Sequence, residues 1–221
     1  MNQDFFTALR SFGACDAGCA PVDDGSGGLP FALSVAVRLS DAIIDEIGPE
    51  PTYTYFNHYR SVNFLIDQIL LRAGLYVQER GARYITVAAS QSRPDSPFEG
   101  RYSHKKAACL AGLGSMGRNG LFLHTSWGPR VRLGTLFTDW EGVLGDAHPA
   151  AVGSGLNSAS AALPDGCTDC GLCVSACPAH ALDGEAVNVE RCSAWMKKAY
   201  QHIGRGVVCG LCLQVCPAGR S

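Results

Sequence analysis

Apolar and polar positions alternate over residues 30–39, PFALSVAVRL. Phe31, Leu33, Val35, Val37 and Leu39 fall on one side, the two-residue period of a half-buried strand. A short helix is expected from Ser40 to Ile47, stopped by Gly48-Pro49. From Tyr53 the apolar positions Phe56, Tyr59, Val62, Ile66, Ile69, Leu70, Ala73 and Val77 recur at three and four residues, predicting a long amphipathic helix that ends near Gly81. Tyr84 to Ala89 reads as a second, buried strand, and residues 94–100 as a Pro/Gly-punctuated loop. A helix from about His104 to Ala111 leads into a glycine-rich turn, Gly112 to Gly120. A strand follows and continues beyond Gly128-Pro129 as VRLGTLFTD. Residues 141–166 are rich in Gly, Ala and Ser with little periodicity, as in a linker or long loop. The pattern predicts an α+β chain: a mixed α/β domain over 1–140, a linker over 141–166 and a cysteine-rich module over 167–221.

Composition narrows the function. A chain of 221 residues, 47% hydrophobic, is long enough for one or two packed domains. The net charge of -2, with no basic run longer than Lys105-Lys106 or Lys197-Lys198, disfavours nucleic acid as a partner. No stretch approaches the roughly 18–20 apolar residues that span a bilayer, so no membrane insertion is expected. The first residues, MNQDFFTALRSFGACDAG, lack a basic leader and a signal-like apolar run, and a cytoplasmic location is expected.

Eight of the eleven cysteines lie between Cys167 and Cys216, crowding that favours metal over disulfide. The run CTDCGLCVSACP has the bacterial ferredoxin spacing Cys-x2-Cys-x2-Cys-x3-Cys-Pro, and CGLCLQVCP repeats its latter part. In two-cluster ferredoxins the fourth cysteine of each run ligates the other cluster. Cys167, Cys170, Cys173 and Cys216 are thereby assigned to one 4Fe-4S cluster. Cys177, Cys209 and Cys212 go to the second, with Cys192 replacing the missing central thiol. Zinc also takes Cys-x2-Cys pairs but has no need of the twice-repeated x3-Cys-Pro ending. Gly171 and Gly210 are placed at tight turns, with Leu172, Val174, Leu211, Leu213 and Val215 as an apolar wall. Such clusters relay electrons, so the reactive site is expected elsewhere in the chain. Outside the tail, Cys109 reads as a small buried hydrophobe. Cys15 and Cys19 form a CxxxC pair in an N-terminal loop, open to a redox or metal role.

YFNHYRSVN at the start of the long helix, KKAACLAGLGSMGRNGLFL followed by LGTLFTD, and the two-run tail together resemble the epoxyqueuosine reductases, relatives of the corrinoid-dependent reductive dehalogenases. The resemblance covers roughly residues 52–217. It implies a nitroreductase-like α/β domain holding cobalamin beside a two-cluster ferredoxin-like module. It places cofactor contacts at Gly112, Leu113, Gly114, Gly117, Arg118 and Asn119, and at Thr138 and Asp139 after Phe137. Lys105 and Tyr59 are further candidates, with Tyr53, Tyr55 and His58 near Tyr59. The acidic proton donor of the family aligns with Phe98, flanked by Asp95 and Glu99, and the usual Trp-Ile of the glycine-rich loop is Ser115-Met116. A shorter group of family-like proteins carries a His-Lys pair here, which makes His104, with Tyr102, the candidate proton donor. The implied function is a corrinoid- or flavin-type reductase of a small-molecule substrate, supplied by a donor such as ferredoxin or flavodoxin. The alternative is an electron-transfer protein with no second cofactor. The chain ends at Ser221 without the tRNA-holding helical extension, which makes tRNA the least expected substrate.

Overall fold

The computed structural model describes residues 3–93, 99–144 and 166–219. Asp95, Phe98 and most of the expected linker lie outside them. The chain forms two compact units that interleave in sequence. One comprises Met1–Val37, Asn63–Leu113 and Arg132–Ala161, the other Arg38–Val62, Gly114–Val131 and Ala162–Ser221. Segments 38–62 and 114–131, expected within a 1–140 domain, are therefore grouped with the cysteine-rich tail.

The first unit is built on a four-stranded sheet. Its strands are β1 (Asp16–Pro21), β2 (Phe31–Arg38), β3 (Tyr84–Val87) and β6 (Val131–Thr138), in the order β1-β2-β6-β3. Pairing is antiparallel between β1 and β2 and between β3 and β6. The alternation in β2 predicts one buried face, but Ala32 to Val37 are all buried, as befits a strand inside the sheet. Tyr84–Val87, expected to be buried, is the sheet edge with Thr86 exposed. Helices α1 (Gln3–Phe12) and α4 (His104–Leu110) both pack on β1. Strand β1 is not evident in the hydrophobic pattern, whereas α1 follows the helical spacing of Phe5, Leu9 and Phe12. Phe5 of α1 is fully buried, its ring 4.9 Å from Tyr76 and 5.3 Å from Trp140. Cys19 is a residue of β1, paired with Leu33, rather than of a loop.

Helix α3 (Tyr53–Gln78) is the predicted long helix. It crosses the sheet at Gly134 of β6, where a Cβ would lie 2.4 Å from Ile66 Cγ2 and 3.1 Å from both Leu70 Cδ1 and Val35 Cγ2. Glycine is what lets helix and sheet approach this closely. The other end of the first unit is tied by Arg132, whose Nε donates to Asn63 Oδ1 (2.9 Å), and by the Ala89 N–H, which donates to Asp67 Oδ1 (2.9 Å).

The second unit has little regular structure. Helix α2 (Asp41–Asp45) is capped by the Ser40 hydroxyl, which accepts from the Ile43 N–H. The glycine-rich segment is no simple turn. It contains β4 (Gly114–Met116), which pairs antiparallel with β5 (Phe122–His124). Gly114 lacks a Cβ that would otherwise lie 2.0 Å from the Leu123 carbonyl. The tail supplies α5 (Leu172–Ser175), α6 (Val189–Ala199) and α7 (Leu211–Gln214). Phe56, Tyr200, Ile203 and Val207 form its core, with Met196, Ala199 and Cys209 packed against them. Arg130, 2% exposed, pairs with Asp41 at 2.9 Å and Asp45 at 2.7 Å.

Candidate metal centre

The two cysteine runs fold into matching loops. Gly171 (φ 69°) and Gly210 (φ 75°) each adopt the left-handed conformation between two cysteines and start the one-turn helices α5 and α7. Their carbonyls accept from Val174 and Ser175, and from Leu213 and Gln214. The spacing requires this sharp reversal, and glycine enters it without the Cβ clash that other residues meet. Helices α5 and α7 pack together.

Cys167, Cys170, Cys173 and Cys216 line one concavity, whose wall continues through Gly117, Arg118 and Asn119. Burial raises the thiol pKa values of Cys173 and Cys216, and each is raised further by Cys167 and Cys170. Burial likewise raises Cys192 and Cys209, then Cys177 adds to both and Cys192 to Cys209. Cys212 is pushed up to about 12 by burial, then by Cys209, Cys192, Cys177 and Cys173. Cys167, Cys170, Cys173 and Cys216 thus stand together around the concavity, and Cys192, Cys209 and Cys212 each feel Cys177, with Cys212 also feeling Cys173. The raised pKa values favour neutral thiols, and a bound cation would favour the thiolates instead. Among the described residues no three His, Cys, Asp or Glu side chains gather around a single-ion site. A 4Fe-4S cluster takes four thiolates, which is the donor set that lines the concavity. Cys167, Cys170, Cys173 and Cys216 fit such a cluster by their chemistry and their common concavity.

The flanking side chains separate the groups. Leu211 and Leu213 are each 7% exposed, whereas Leu172 of the expected apolar wall is 47% exposed. Tyr55 and Ile47 press on Gly210, where a Cβ would lie 2.6 Å from the Tyr55 ring. The Cys209 N–H donates to Met196 Sδ (3.3 Å), and the Ala181 N–H donates to Cys177 Sγ (3.4 Å). Met196, Tyr200 and Asp169 carry no motif of their own. Only their position beside the cysteines in sequence hints at them.

The polar candidates for a second cofactor are engaged within the protein. Asp139 accepts from the Arg83 N–H (2.8 Å) and pairs with Arg83 Nε (2.7 Å), while the Thr138 hydroxyl donates to the Arg83 carbonyl (2.8 Å). Gly112 (φ 73°) terminates α4: its N–H donates to the Cys109 carbonyl and that of Leu113 to Ala108, a Schellman motif. Arg118 and Asn119 reach into the cysteine loops, Arg118 to Asp169 (2.9 Å) and Asn119 Nδ2 to the Cys212 carbonyl (3.2 Å). Tyr59 is half-buried with its ring 6.5 Å from Tyr55, and Lys105 is an exposed residue of the first turn of α4. His58 Nε2 accepts from the Ser40 N–H (3.1 Å), and the Tyr53 hydroxyl donates to the His202 carbonyl (3.2 Å).

The two candidate proton donors, His104 and Tyr102, stand at the start of α4. His104 Nδ1 lies 2.8 Å from Thr135 Oγ1, and Nε2 donates to the Ala88 carbonyl (3.1 Å). The Tyr102 hydroxyl donates to Asp24 (3.1 Å), which also pairs with Lys106. Burial and Asp24 both push the phenol pKa up.

Residues 166–220 match the 4Fe-4S dicluster domain family. The chain is 35% identical over 91 residues to a tetrachloroethene reductive dehalogenase of Desulfitobacterium hafniense, covering 39% of this chain and 14% of that one. A solved reductive dehalogenase, described as suggesting a mechanism for B12-dependent dehalogenation, superposes with a TM-score of 0.70 at 16% identity. The match covers 97% of this chain and 31% of that one. The epoxyqueuosine reductase of Streptococcus thermophilus gives a TM-score of 0.63 at 18% identity over 99% of this chain and 66% of the other. The resemblance seen in the motifs thus extends to the fold, and the chain spans about a seventh of its curated dehalogenase relative. The tail thus carries a 4Fe-4S dicluster domain, part of the sequence is similar to reductive dehalogenases, and the fold is shared with solved reductive dehalogenases and epoxyqueuosine reductases. No helix among the described residues is long and apolar enough to cross a membrane.

Proposed function

We propose that the protein is the electron-relaying part of a reductase, in which two 4Fe-4S clusters pass electrons to a second redox cofactor, of the corrinoid class, for reduction of a small molecule. The observation that carries this reading is the concavity lined by Cys167, Cys170, Cys173 and Cys216, within a tail that matches the 4Fe-4S dicluster domain and a fold shared with reductive dehalogenases. In it, Cys167, Cys170, Cys173 and Cys216 hold one cluster and Cys177, Cys192, Cys209 and Cys212 the other. The clusters supply one-electron steps at low potential. The protein's part is to exclude water from the second group with Tyr55, Ile47, Leu211 and Leu213, and to hold both loops rigid. The sheet unit corresponds to the nitroreductase-like domain of the reductases. A relay with no second cofactor is the other reading, favoured because Thr138, Asp139, Arg118 and Asn119 are all bonded internally.

Anaerobically reconstituted protein, mixed with micromolar hydroxocobalamin and desalted, tests the two readings against each other. Iron and sulfide for two cubanes together with retained corrinoid absorbance are expected. Clusters without retained corrinoid assign the protein to the relay alone. Cys192→Ser is expected to damage one cluster and spare the other, and unchanged iron content would refute the ligand pairing.

A further inference from the structure

Two adjacent residues of one turn hold one loop from each thiol group. Arg118 Nη1 pairs at 2.9 Å with Asp169, which lies between Cys167 and Cys170. The next residue, Asn119, is 6% exposed. Its Nδ2 donates to the backbone carbonyl of Cys212 (3.2 Å), and its Oδ1 accepts from the Leu121 N–H (3.1 Å). The turn itself is tightly fitted. The Gly117 N–H donates to the Leu121 carbonyl (2.8 Å), and a Cβ on Gly117 would lie 2.8 Å from Asn119 Oδ1 and 3.1 Å from Leu123. Gly120 takes φ 69°, and a Cβ there would lie 2.6 Å from Val187. Asp169 holds φ 54°, a left-handed conformation that is uncommon for a non-glycine residue. Every atom of this chain of contacts belongs to the second unit.

We infer that Arg118 and Asn119 form a staple that fixes the two cluster-binding loops relative to one another, and that the Arg118–Asp169 pair biases the potential of the first cluster. The inference rests on the ligand pairing proposed above. It explains why a glycine-rich loop stands beside the cysteines: its glycines let the backbone turn tightly enough for neighbouring side chains to reach both loops. Arg118 and Asn119 are positioning residues and need touch neither iron nor substrate. Reduction adds negative charge to a cluster, so a nearby guanidinium favours the reduced form and a nearby carboxylate opposes it.

The test is a redox titration followed by electron paramagnetic resonance on the two-cluster protein, with potentials assigned by comparison with Cys192→Ser. Arg118→Gln is expected to lower the first cluster's potential and Asp169→Asn to raise it. Asparagine is chosen because it tolerates the left-handed conformation. The double variant is expected near the wild-type value, and Arg118→Lys should restore much of the Arg118→Gln loss. Shifts of the same sign in both single variants would mean that the pair is only structural and would overturn the bias. Asn119→Ala is expected to change the spin-interaction spectrum of the doubly reduced protein while leaving the first potential in place. Asn119→Asp, which keeps the acceptor for Leu121 and loses the donor to Cys212, should act in the same way. An unchanged interaction spectrum in both Asn119 variants overturns the staple. Wild-type protein that fails to take up two clusters would instead sink the proposed function.

Discussion

The imidazole of His104 is held from both sides, by the Thr135 hydroxyl and the Ala88 carbonyl, with Arg132 and Asp67 as the charged groups acting on it. Because a carbonyl only accepts, Nε2 carries the proton, and the neutral ring joins the start of α4 to the sheet. Burial lowers the His104 pKa below its ordinary value. The unfolded chain therefore binds a proton more readily than the folded one, so this contribution to stability is complete above about pH 6.5, the unperturbed value. It is lost as pH falls from there toward the folded pKa, with a slope of at most about 1.4 kcal/mol per pH unit from one group. His104→Gln, which does not titrate, is expected to flatten the fall in stability between pH 7 and pH 5. Urea unfolding of both proteins across that range checks it, and parallel curves would show that His104 is not the group responsible. Tyr102 is anchored in a comparable way, with its hydroxyl on Asp24 and its ring edge-on to Phe137 at 4.8 Å.

At the scale of elements, the crossing of α3 over β6 depends on Gly134. A methyl group at that position meets Ile66, Leu70 and Val35 together, and all three are fully buried. Gly134→Ala is expected to cost about 1–3 kcal/mol by overpacking. Ile66→Ala, which removes the crowding Cγ2, should cost less in the Gly134→Ala chain than in the wild type; additive losses in urea unfolding would place the strain elsewhere. This contact also shows what the sequence conveys. Ile66, Ile69, Leu70 and Ala73 announce α3 through their period, and Ser40 and Ser103 mark the starts of α2 and α4 as caps. Helix α1 carries the helical spacing of Phe5, Leu9 and Phe12, whereas β1, DAGCAP, is poor in branched residues and gives no strand pattern. Strand β4, Gly-Ser-Met, was hidden within the glycine-rich turn, since three residues establish no period and its partner comes only after Asn119-Gly120. The cysteine spacing is local, so the run Cys167 to Pro178 is legible from the sequence itself. Asp169 and Met196 leave no local pattern, and the partner of Asn119, the Cys212 carbonyl, lies far along the chain.

At the scale of the whole molecule, each of the two compact units is drawn from three stretches of the chain. The first unit has a sheet core of its own, with Phe5, Leu33, Val35, Ile66, Leu70 and Phe137 fully buried. The second unit gathers short helices and loops from three parts of the chain around the thiols, with Phe56, Tyr200, Ile203 and Val207 as a small apolar core. A unit with so little regular structure draws much of its folding free energy from the metal, as small metal-stapled domains do. Removing iron by oxidation and chelation is therefore expected to abolish amide protection over 189–199 and 211–215. The same loss is expected at 41–47 and 114–124, although these segments precede the tail by many residues. Protection in β2 and in β6 beyond Val131 should survive, because the sheet requires no cluster. Hydrogen exchange read by mass spectrometry separates the two organisations: if only residues after 166 lose protection, the tail is an appended module. Loss that extends to 41–47 and 114–124 makes the clusters the folding centre of a unit drawn from all three segments.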